Sequence, residues 1–473
     1  MSIQGELASL QRISDRLIST PNEELQKVLE NLLPKLLPLS NNAELRDKQV
    51  VPILMQILKR IKLLEIRLPL ASLISLIRPD MLPFCCNLST VFIDAAKSWH
   101  QAEQWRDCTE PLMLNFGCFT AHSAQSNALC FYSLSCIRFM TPEMSRLAGS
   151  SAIDVLGDWL LDVSLAQPGI VKDSAGSIQP GLSAERLARL TAKKATWSAS
   201  DMKQCKLDLV DSLSKRWLPT PCAVAIAIIA SCDAETDVAT QAVFKMNGAR
   251  STFTDISTNS APVLDLLLCL CLPHAQVSQK KDANLFVRGR TNLRISVKCA
   301  ILRWICKEMQ DHIVSSSNEI VHLVTETMKS SEAGFADATY SSNILELAAL
   351  LVERLPISTV HSVASTLLQC VKKALGPYAS QLSADSASSI DSDAGWIYLY
   401  QSYNSCDRLK CITFTFQINE TSIGIHTRES CYRVVDRISR VCPSVASADA
   451  ELLVLLFRLL DCEVKNSNSM ILL

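Results

Sequence analysis

The chain has 473 residues, of which 48% are hydrophobic and 20% are charged, so it is too apolar for a disordered chain and long enough for several domains or one extended solenoid. Only 13 residues are glycine, which argues against folds that rely on hairpin turns or phosphate-binding loops. The 46 basic and 47 acidic residues leave a net charge of −1, without the basic surplus of a nucleic-acid-binding protein. We therefore expect protein partners and no nucleic acid.

The first helix with a clear start signal follows Thr20. Thr20 is placed to cap it, Pro21 suits the first helical position, and Glu23 completes a capping box. Leucines then recur at helical spacing from Leu25 to Leu36. Pro34 is expected to kink this helix and Pro38 to end it, because proline cannot donate the backbone hydrogen bond.

A second helix is predicted to begin shortly afterwards, with Asn41 and Glu44 as its capping signal and Pro52 as a kink or restart. Two helices joined by about five residues form an antiparallel pair. A third and a fourth helix are predicted at Pro69–Ile77 and Phe84–Trp99.

Helical periodicity continues to the end of the chain. The later predicted helices are Cys205–Trp217, Pro221–Ala230, Asp233–Met246, Asn292–Met309, Glu319–Met328, Ser342–Leu355, Ser358–Leu375, Glu429–Ile438 and Ala450–Leu460. Ile412–Ile418 alternates apolar and polar residues instead, and both a short strand and a helix are compatible with it.

Composition divides the chain into five predicted segments. A Gly-, Pro- and Ser-rich stretch and a polar Ser- and Asp-rich stretch read as a linker and a mobile loop. The segments are 1–166 (amino-terminal helical repeats), 167–190 (loop or linker), 191–379 (helical repeats), 380–395 (polar mobile loop) and 396–473 (further helical repeats, predicted to be truncated). The basic stretch Lys280–Arg290 is predicted to be a solvated loop.

A degenerate repeat links several helices. Asn42–Val50, Asp233–Ala242 and Asn292–Cys299 each open with an acidic or amide residue, followed by an apolar residue and then Arg or Ala. This pattern is typical of the second helix of a HEAT repeat, whose period is about 40–47 residues. The predicted fold is therefore all-α, a HEAT/ARM-like α-solenoid of antiparallel helix pairs.

No catalytic or cofactor-binding motif is present. Walker, Gly-x-Gly-x-x-Gly, Gly-x-Ser-x-Gly, Cys-x-x-Cys and His-Glu-x-x-His patterns are all missing from the sequence. Asp154 and Asp158 share a helix face, which we interpret as a solvated face because no His or further carboxylate accompanies them in the sequence. We expect no enzyme activity, no cofactor, no metal and no catalytic residues, and no partner-binding residue can be named.

Most of the 19 cysteines are interpreted as small buried hydrophobic residues. Charged residues interrupt the first twenty positions, which predicts that no signal peptide is present and that the thiols are reduced. The longest apolar run, Cys222–Ala230, is far shorter than the roughly twenty residues of a transmembrane helix, so no direct membrane span is expected.

Several segments share their order and spacing with one known family. They are Leu25–Leu39, Leu45–Lys48, Ile57-Leu-Lys-Arg-Ile-Lys62, Leu68-Pro-Leu70, Ala188–Leu209 with Trp197, Ala230–Ala242 and Asn292–Arg294. In this order they resemble the amino-terminal region of the large HEAT-repeat proteasome adaptor and scaffold family of the "extracellular mutant" type. The family's members are several times longer, so the chain resembles their amino-terminal region only.

The resemblance implies a non-enzymatic adaptor that binds the 26S proteasome, bridges its regulatory and core particles, and supports its assembly, stability or localisation in protein catabolism. It also implies links to membranes and transport machinery, including ER-associated degradation. The expected location is the cytoplasm, with the nucleus as a second location. Two alternatives remain open: a HEAT-repeat scaffold for transport or cytoskeletal partners, and a Cys-dependent hydrolase.

Overall fold

The computed structural model describes residues 3–96, 102–167, 179–191, 198–247, 260–272, 285–329, 338–386 and 422–459. Within these ranges every regular element is a helix, which confirms the predicted all-α fold. The chain divides into two compact units, residues 1–258 with 283–291, and residues 259–282 with 292–473. The segment 412–418, with its open choice between strand and helix, lies outside the described residues.

The first unit contains thirteen α-helices of five or more residues in the ranges described for it. They are α1 (Ile3–Ser19), α2 (Asn22–Leu39), α3 (Val51–Leu64), α4 (Leu70–Ile74), α5 (Pro83–Ala96), α6 (Ala102–Phe116), α7 (Ala124–Cys136), α8 (Pro142–Ala148), α9 (Ser150–Leu165), α10 (Ala184–Thr191), α11 (Ala199–Ser212), α12 (Thr220–Ala230) and α13 (Thr236–Asn247). Most of these helices mainly contact those one or two places away in the chain, as stacked helix pairs do, whereas α9 mainly contacts α12.

The second unit follows the same local pattern of contacts. Its helices are α14 (Ser260–Cys271), α15 (Ile295–Glu308), α16 (Ser317–Lys329), α17 (Ala338–Arg354), α18 (Ile357–Ser386), α19 (Ser422–Val441), α20 (Pro443–Ala448) and α21 (450–459). Helix α17 contacts α15, α16, α18 and α19, which places it at the centre of this unit. The later predicted helices are thus confirmed, with shifted ends. Whether the pairs are HEAT repeats stays a prediction.

Neither predicted cap of the first helices forms as expected: the first is missing and the second is displaced by one residue. The helix after Thr20 is preceded by Pro21 without a side-chain cap, and the Thr20 hydroxyl instead donates to the Arg16 carbonyl of α1. Asn42, rather than Asn41, caps the next helical run by accepting from the backbone amides of Glu44 and Leu45. Both corrections have one reason: a cap depends on the local backbone angles, which the residue pattern does not specify.

The prolines of these helices act differently from one another. Helix α2 continues through Pro34 and Pro38 and buries five leucines along one side. Before α3, the helical run Ala43–Leu45 widens into a π-helical turn at Arg46–Val50, and Pro52 then lies in the first turn of α3. Pro52 therefore lies directly after a change from π-helical to α-helical hydrogen bonding. The backbone stays helical through Val50 and Val51, so a kink or restart at Pro52 stays a prediction.

Two predicted loops are partly helical. Helix α10 occupies most of the end of the predicted linker 167–190, while residues 168–178 lie outside the described ranges. Helix α18 continues to Ser386, so the first residues of the predicted loop 380–395 are helical and the remainder is not described. In the first case tertiary contacts of Arg186 hold a short helix that composition alone did not indicate.

The core of the first unit is centred on α9 and α12, which pack against each other. Every residue of α12 from Cys222 to Ala230 is buried, and α9 is buried on nearly all sides from Val155 to Leu165. Gly157 makes the close approach possible: a Cβ there would lie 2.9 Å from the Cys222 sulfur and 3.2 Å from a ring carbon of Phe286.

Candidate functional site

Two carboxylates of α9 are fully buried in the core of the first unit. Asp158 and Asp162 are four residues apart, so both project from one face of the helix, and neither is exposed to solvent. Burial of a lone ionised carboxylate is strongly unfavourable unless cations and hydrogen-bond donors compensate it. The surroundings of Asp158 and Asp162 must therefore provide cations and hydrogen-bond donors.

Three arginines provide that compensation. Arg186 of α10 places its Nη1 atom 2.8 Å from the Asp158 carboxylate and 3.0 Å from that of Asp162. Arg290 makes equivalent contacts of 2.9 Å and 2.6 Å to the same two carboxylates. Arg189 stands further away, at 3.8 Å and 3.5 Å. Each carboxylate thus binds an arginine of helix α10 and also Arg290, which follows both aspartates by more than 120 positions in the chain.

His122 is a further neighbour of the Asp158 carboxylate. Its Nε2 atom lies 3.1 Å from the Asp158 carboxylate, and its Nδ1 atom lies 3.3 Å from the side-chain oxygen of Asn127. Because an ionised carboxylate only accepts hydrogen bonds, Nε2 carries the proton in this arrangement. We name the set Asp158, Asp162, Arg186, Arg189, Arg290 and His122 the charge cluster.

The charge cluster holds residues 285–291, which we name the strap, against α9 and α10. Arg186 donates to the carbonyl of Leu285 at 3.1 Å and also to the carbonyl of Arg288. The Arg290 side chain donates to the Phe286 carbonyl, and the Thr291 hydroxyl donates to the Gln179 carbonyl at 3.1 Å. The guanidinium groups therefore neutralise the carboxylates and satisfy the backbone of the strap together.

The electrostatic balance favours the ionised form of Asp158. Burial alone raises the pKa of Asp158, but the hydrogen bond from His122 and the charges of Arg290 and Arg186 outweigh it and hold that pKa well below its usual range. Burial likewise tends to lower the pKa of Arg186, while Asp162 and Asp158 raise it overall. The cluster ties four chain segments together: the one with His122, helix α9, helix α10 and the strap.

Two predictions from the sequence are corrected here. Asp158 does not lie on a solvated face, because His122, Asp162 and three arginines surround it. The basic stretch Lys280–Arg290 is not simply a solvated loop, since Arg290 is buried; residues 280–284 lie outside the described ranges. The missed signal was a row of aspartates at intervals of four residues, Asp154, Asp158 and Asp162, in a helix that is mostly apolar.

Several buried cysteines lack the surroundings of reactive thiols. Burial raises the pKa of the Cys85 thiol to about 11 and the pKa of the Cys108, Cys271 and Cys306 thiols to about 12. A nucleophilic cysteine needs the opposite shift. Within the described ranges, no group of three or more His, Cys, Asp or Glu side chains could hold a metal ion.

Helix α3 carries the most distinctive exposed face of the first unit. Six exposed residues follow one side of it, and we name them the basic face: Pro52, Met55, Gln56, Lys59, Lys62 and Leu63. Met55 is 48% exposed and Leu63 is 80% exposed. Helix α3 contains no acidic residue, and among the described residues neither lysine has an ion-pair partner.

Arg60 separates this face from the packed side of α3. Its guanidinium donates to the Leu17 carbonyl at 2.7 Å, the Thr20 carbonyl at 2.9 Å and the Asn22 side chain at 2.6 Å. It thereby satisfies the carbonyl groups at the end of α1 and joins the α1–α2 turn to α3. Within the Lys-Arg-Ile-Lys motif, Arg60 and the buried Ile61 therefore have structural roles that Lys59 and Lys62 lack.

The fold and these two features define the class: an all-helical protein of successively packed helices, with a charge cluster in its core and an uncompensated basic helix face outside. Residues 10–398 match the family described as Proteasome component ECM29, N-terminal, and the chain belongs to this family.

A human relative, the "Proteasome adapter and scaffold protein ECM29", is 24% identical over 332 residues. The match covers 62% of this chain and 18% of the human protein, so the chain spans a small part of its relative's length. No solved structure matches the chain. Among the described residues, no helix is both long enough and apolar enough to cross a membrane.

Proposed function

We propose that this chain is a proteasome-binding adaptor, acting through surface contacts between its packed helices and subunits of the 26S proteasome. The observation that carries this proposal is the family match over residues 10–398, supported by the human relative named as a proteasome adapter and scaffold. Stacked helix pairs offer long surfaces on which several partners can be held at once.

We further propose which particles of the proteasome the chain binds, what this binding supports and where in the cell it occurs. The chain binds the regulatory and core particles and supports proteasome assembly, stability or localisation in protein catabolism, including ER-associated degradation. Its helix pairs are HEAT repeats, it carries out no reaction of its own, and it acts in the cytoplasm and the nucleus. The buried thiols and their raised pKa values support a non-enzymatic role.

The test is recovery of assembled proteasomes on the tagged chain. We expect the chain, expressed in cells of its own source, to co-purify with subunits of both particles, measured by native gel and mass spectrometry. A full-length relative of the family is the positive control. Repeated recovery of transport or cytoskeletal proteins without proteasome subunits, while the control recovers proteasomes, would show that this chain is a scaffold for other partners.

A further inference from the structure

The basic face of α3 combines exposed apolar side chains with lysines that lack an ion-pair partner among the described residues. Met55, Lys59 and Leu63 follow each other at intervals of four residues, which places an apolar, a basic and an apolar side chain in one line along the helix. At 1.5 Å per residue this line is about 12 Å long. Leu63, with 80% of its surface exposed, is at its end.

The lysines of this face have no ion-pair partner among the described residues, whereas the charges of the helical run that leads into α3 are paired with one another. Glu44 bonds to Lys48 at 2.9 Å and Asp47 to Arg46 at 2.8 Å in the helical run that leads into α3. The next acidic residue, Glu65, lies where α3 ends. The face therefore presents positive charge beside exposed apolar surface, and it complements an acidic segment with apolar residues at the same spacing.

We propose that the basic face binds an acidic amphipathic segment of a proteasome subunit, with Leu63 and Met55 as apolar anchors and Lys59 and Lys62 as the charges that select it. This inference rests on the proposed function and names the surface and the partner chemistry within it. Apolar anchors bordered by charged residues are the usual composition of a protein interface, in which charges at the rim govern specificity and association rate.

The number of charges argues against a membrane as the occupant. Adsorption to an anionic bilayer gains about 1 kcal/mol for each basic residue near the surface, and lipid-binding sites typically carry 4–8 of them. The face offers two free lysines, because Arg60 is engaged by the α1–α2 turn. Two lysines fall short of the number of basic residues that lipid-binding sites typically carry.

The experiment measures binding of the purified full chain to purified, assembled 26S proteasome. We expect the double reversal Lys59→Glu and Lys62→Glu to weaken binding by at least about tenfold, because like charges would then face each other. The conservative pair Lys59→Arg and Lys62→Arg should retain binding. Binding of the unchanged chain should also weaken as salt is raised.

Leu63→Ser provides a second, uncharged variant. It should weaken binding without changing the salt dependence, and since Leu63 is exposed it should leave the circular dichroism spectrum and unfolding unchanged. Lys27→Glu is the matched control, because Lys27 is exposed on α2 and has no ion-pair partner among the described residues. That control should bind as the unchanged chain does.

The outcomes separate the two proposals. If the unchanged chain binds no proteasome, the proposed function fails and this inference fails with it. If the unchanged chain binds and the Lys59/Lys62 reversal binds equally well, only the inference is overturned. Co-sedimentation with phosphatidylserine vesicles that is lost in the reversal, together with unchanged proteasome binding, would make the face a lipid site and overturn the inference as well.

Discussion

Asp158 shows how one side chain can be costly to bury and still necessary to the fold. It accepts from Arg186, Arg290 and His122, and it is fully buried. Asp154, one turn earlier on the same helix, is half-buried, and burial raises its pKa because no cation compensates it. Two aspartates of one helix therefore differ in their energetic role because their surroundings differ.

Replacing Asp158 by Asn is expected to destabilise the protein by about 3–5 kcal/mol, because Arg186 and Arg290 would keep their buried charge with one carboxylate fewer. Urea unfolding at neutral pH measures the change in free energy. Asp154→Asn is the control on the same helix and should change it by less than about 1 kcal/mol. Equal effects of the two substitutions would contradict a specific role of the charge cluster.

Acid should remove the contribution of Asp158. Its folded-state pKa is lowered, so its stabilising contribution is fully present above the unfolded-state pKa of about 3.9 and is lost as the pH falls through the folded-state value. The free energy of unfolding should therefore decrease below about pH 5. The decrease should be smaller in Asp158→Asn, which lacks this titrating group, and an identical pH dependence in both proteins would refute the assignment.

At the scale of elements, the strap and the close helix contacts organise the first unit. Residues 285–291 join the charge cluster through Arg290, their Phe286 ring faces Gly157, and Thr291 bonds back to the stretch before α10. This segment follows α14 in the chain but belongs to the unit that precedes α14. Its placement depends on a few side chains rather than on its own secondary structure.

Loss of the Arg290 side chain should release the strap. We expect Arg290→Ala to accelerate hydrogen exchange throughout residues 285–291, including the Arg290 amide that now donates to the Val287 carbonyl at 3.2 Å. Arg288→Gln is the matched control, because the Arg288 side chain is exposed and only its carbonyl contributes. Exchange that is equally fast in both variants would mean that the strap is held by other contacts.

Two glycines in helices should respond to alanine in opposite ways. At Gly157 an added Cβ would meet the Cys222 sulfur and the Phe286 ring, so Gly157→Ala should destabilise by about 1–3 kcal/mol through overpacking. At Gly376 in α18 an added Cβ would have no described residue within 4 Å, so Gly376→Ala should stabilise by about 0.5–1 kcal/mol. Thermal unfolding measures both, and a stabilising Gly157→Ala would exclude the close contact of α9 with α12 and the strap.

At the scale of the whole molecule, the cysteines are part of the core. Twelve of the sixteen described cysteines are buried, three are partly exposed and Cys118 is exposed, and none of them forms a disulfide. They fill space between helices as small apolar residues. The prediction of cysteines as buried hydrophobic residues therefore holds for most of those described.

Thiol reactivity should follow this burial. With a thiol reagent at neutral pH, Cys118 should react first among the described cysteines, and the buried ones should react only as the protein unfolds. The measurement is the number of thiols modified in native and in urea-unfolded protein, with mass spectrometry to locate the first. Fast modification of a buried cysteine such as Cys108 or Cys271 would instead favour the hydrolase alternative.

Alkali should destabilise the fold through the same residues. Burial raises the pKa of Cys85 to about 11 and of Cys271 to about 12. The contribution of these thiols to the free energy of unfolding is therefore fully present below the unfolded-state thiol pKa of about 8.5, and it is lost as the pH rises above that value. The free energy of unfolding should decline above about pH 9. Cys271→Ala should decline less steeply; an equal slope would contradict this origin.

The sequence by itself determined the helical class, most helix positions, the role of the cysteines and the family. These rest on short-range properties: the 3.6-residue spacing of apolar side chains, the scarcity of glycine, and the order of local motifs. Helix ends were displaced wherever an actual hydrogen bond, as at Thr20 and Asn42, differed from the expected cap.

Only the tertiary structure decided what the charged residues do. Asp158 and Arg290 are 132 positions apart in the chain, and no local pattern relates a carboxylate in one helix to a guanidinium in a distant segment. Lys59 and Arg60 are neighbours in one motif, yet Arg60 binds three groups of the α1–α2 turn and Lys59 remains exposed. The physical reason is that helix formation depends on residues within a turn or two, whereas the ionisation and pairing of a charge depend on every group the fold brings around it.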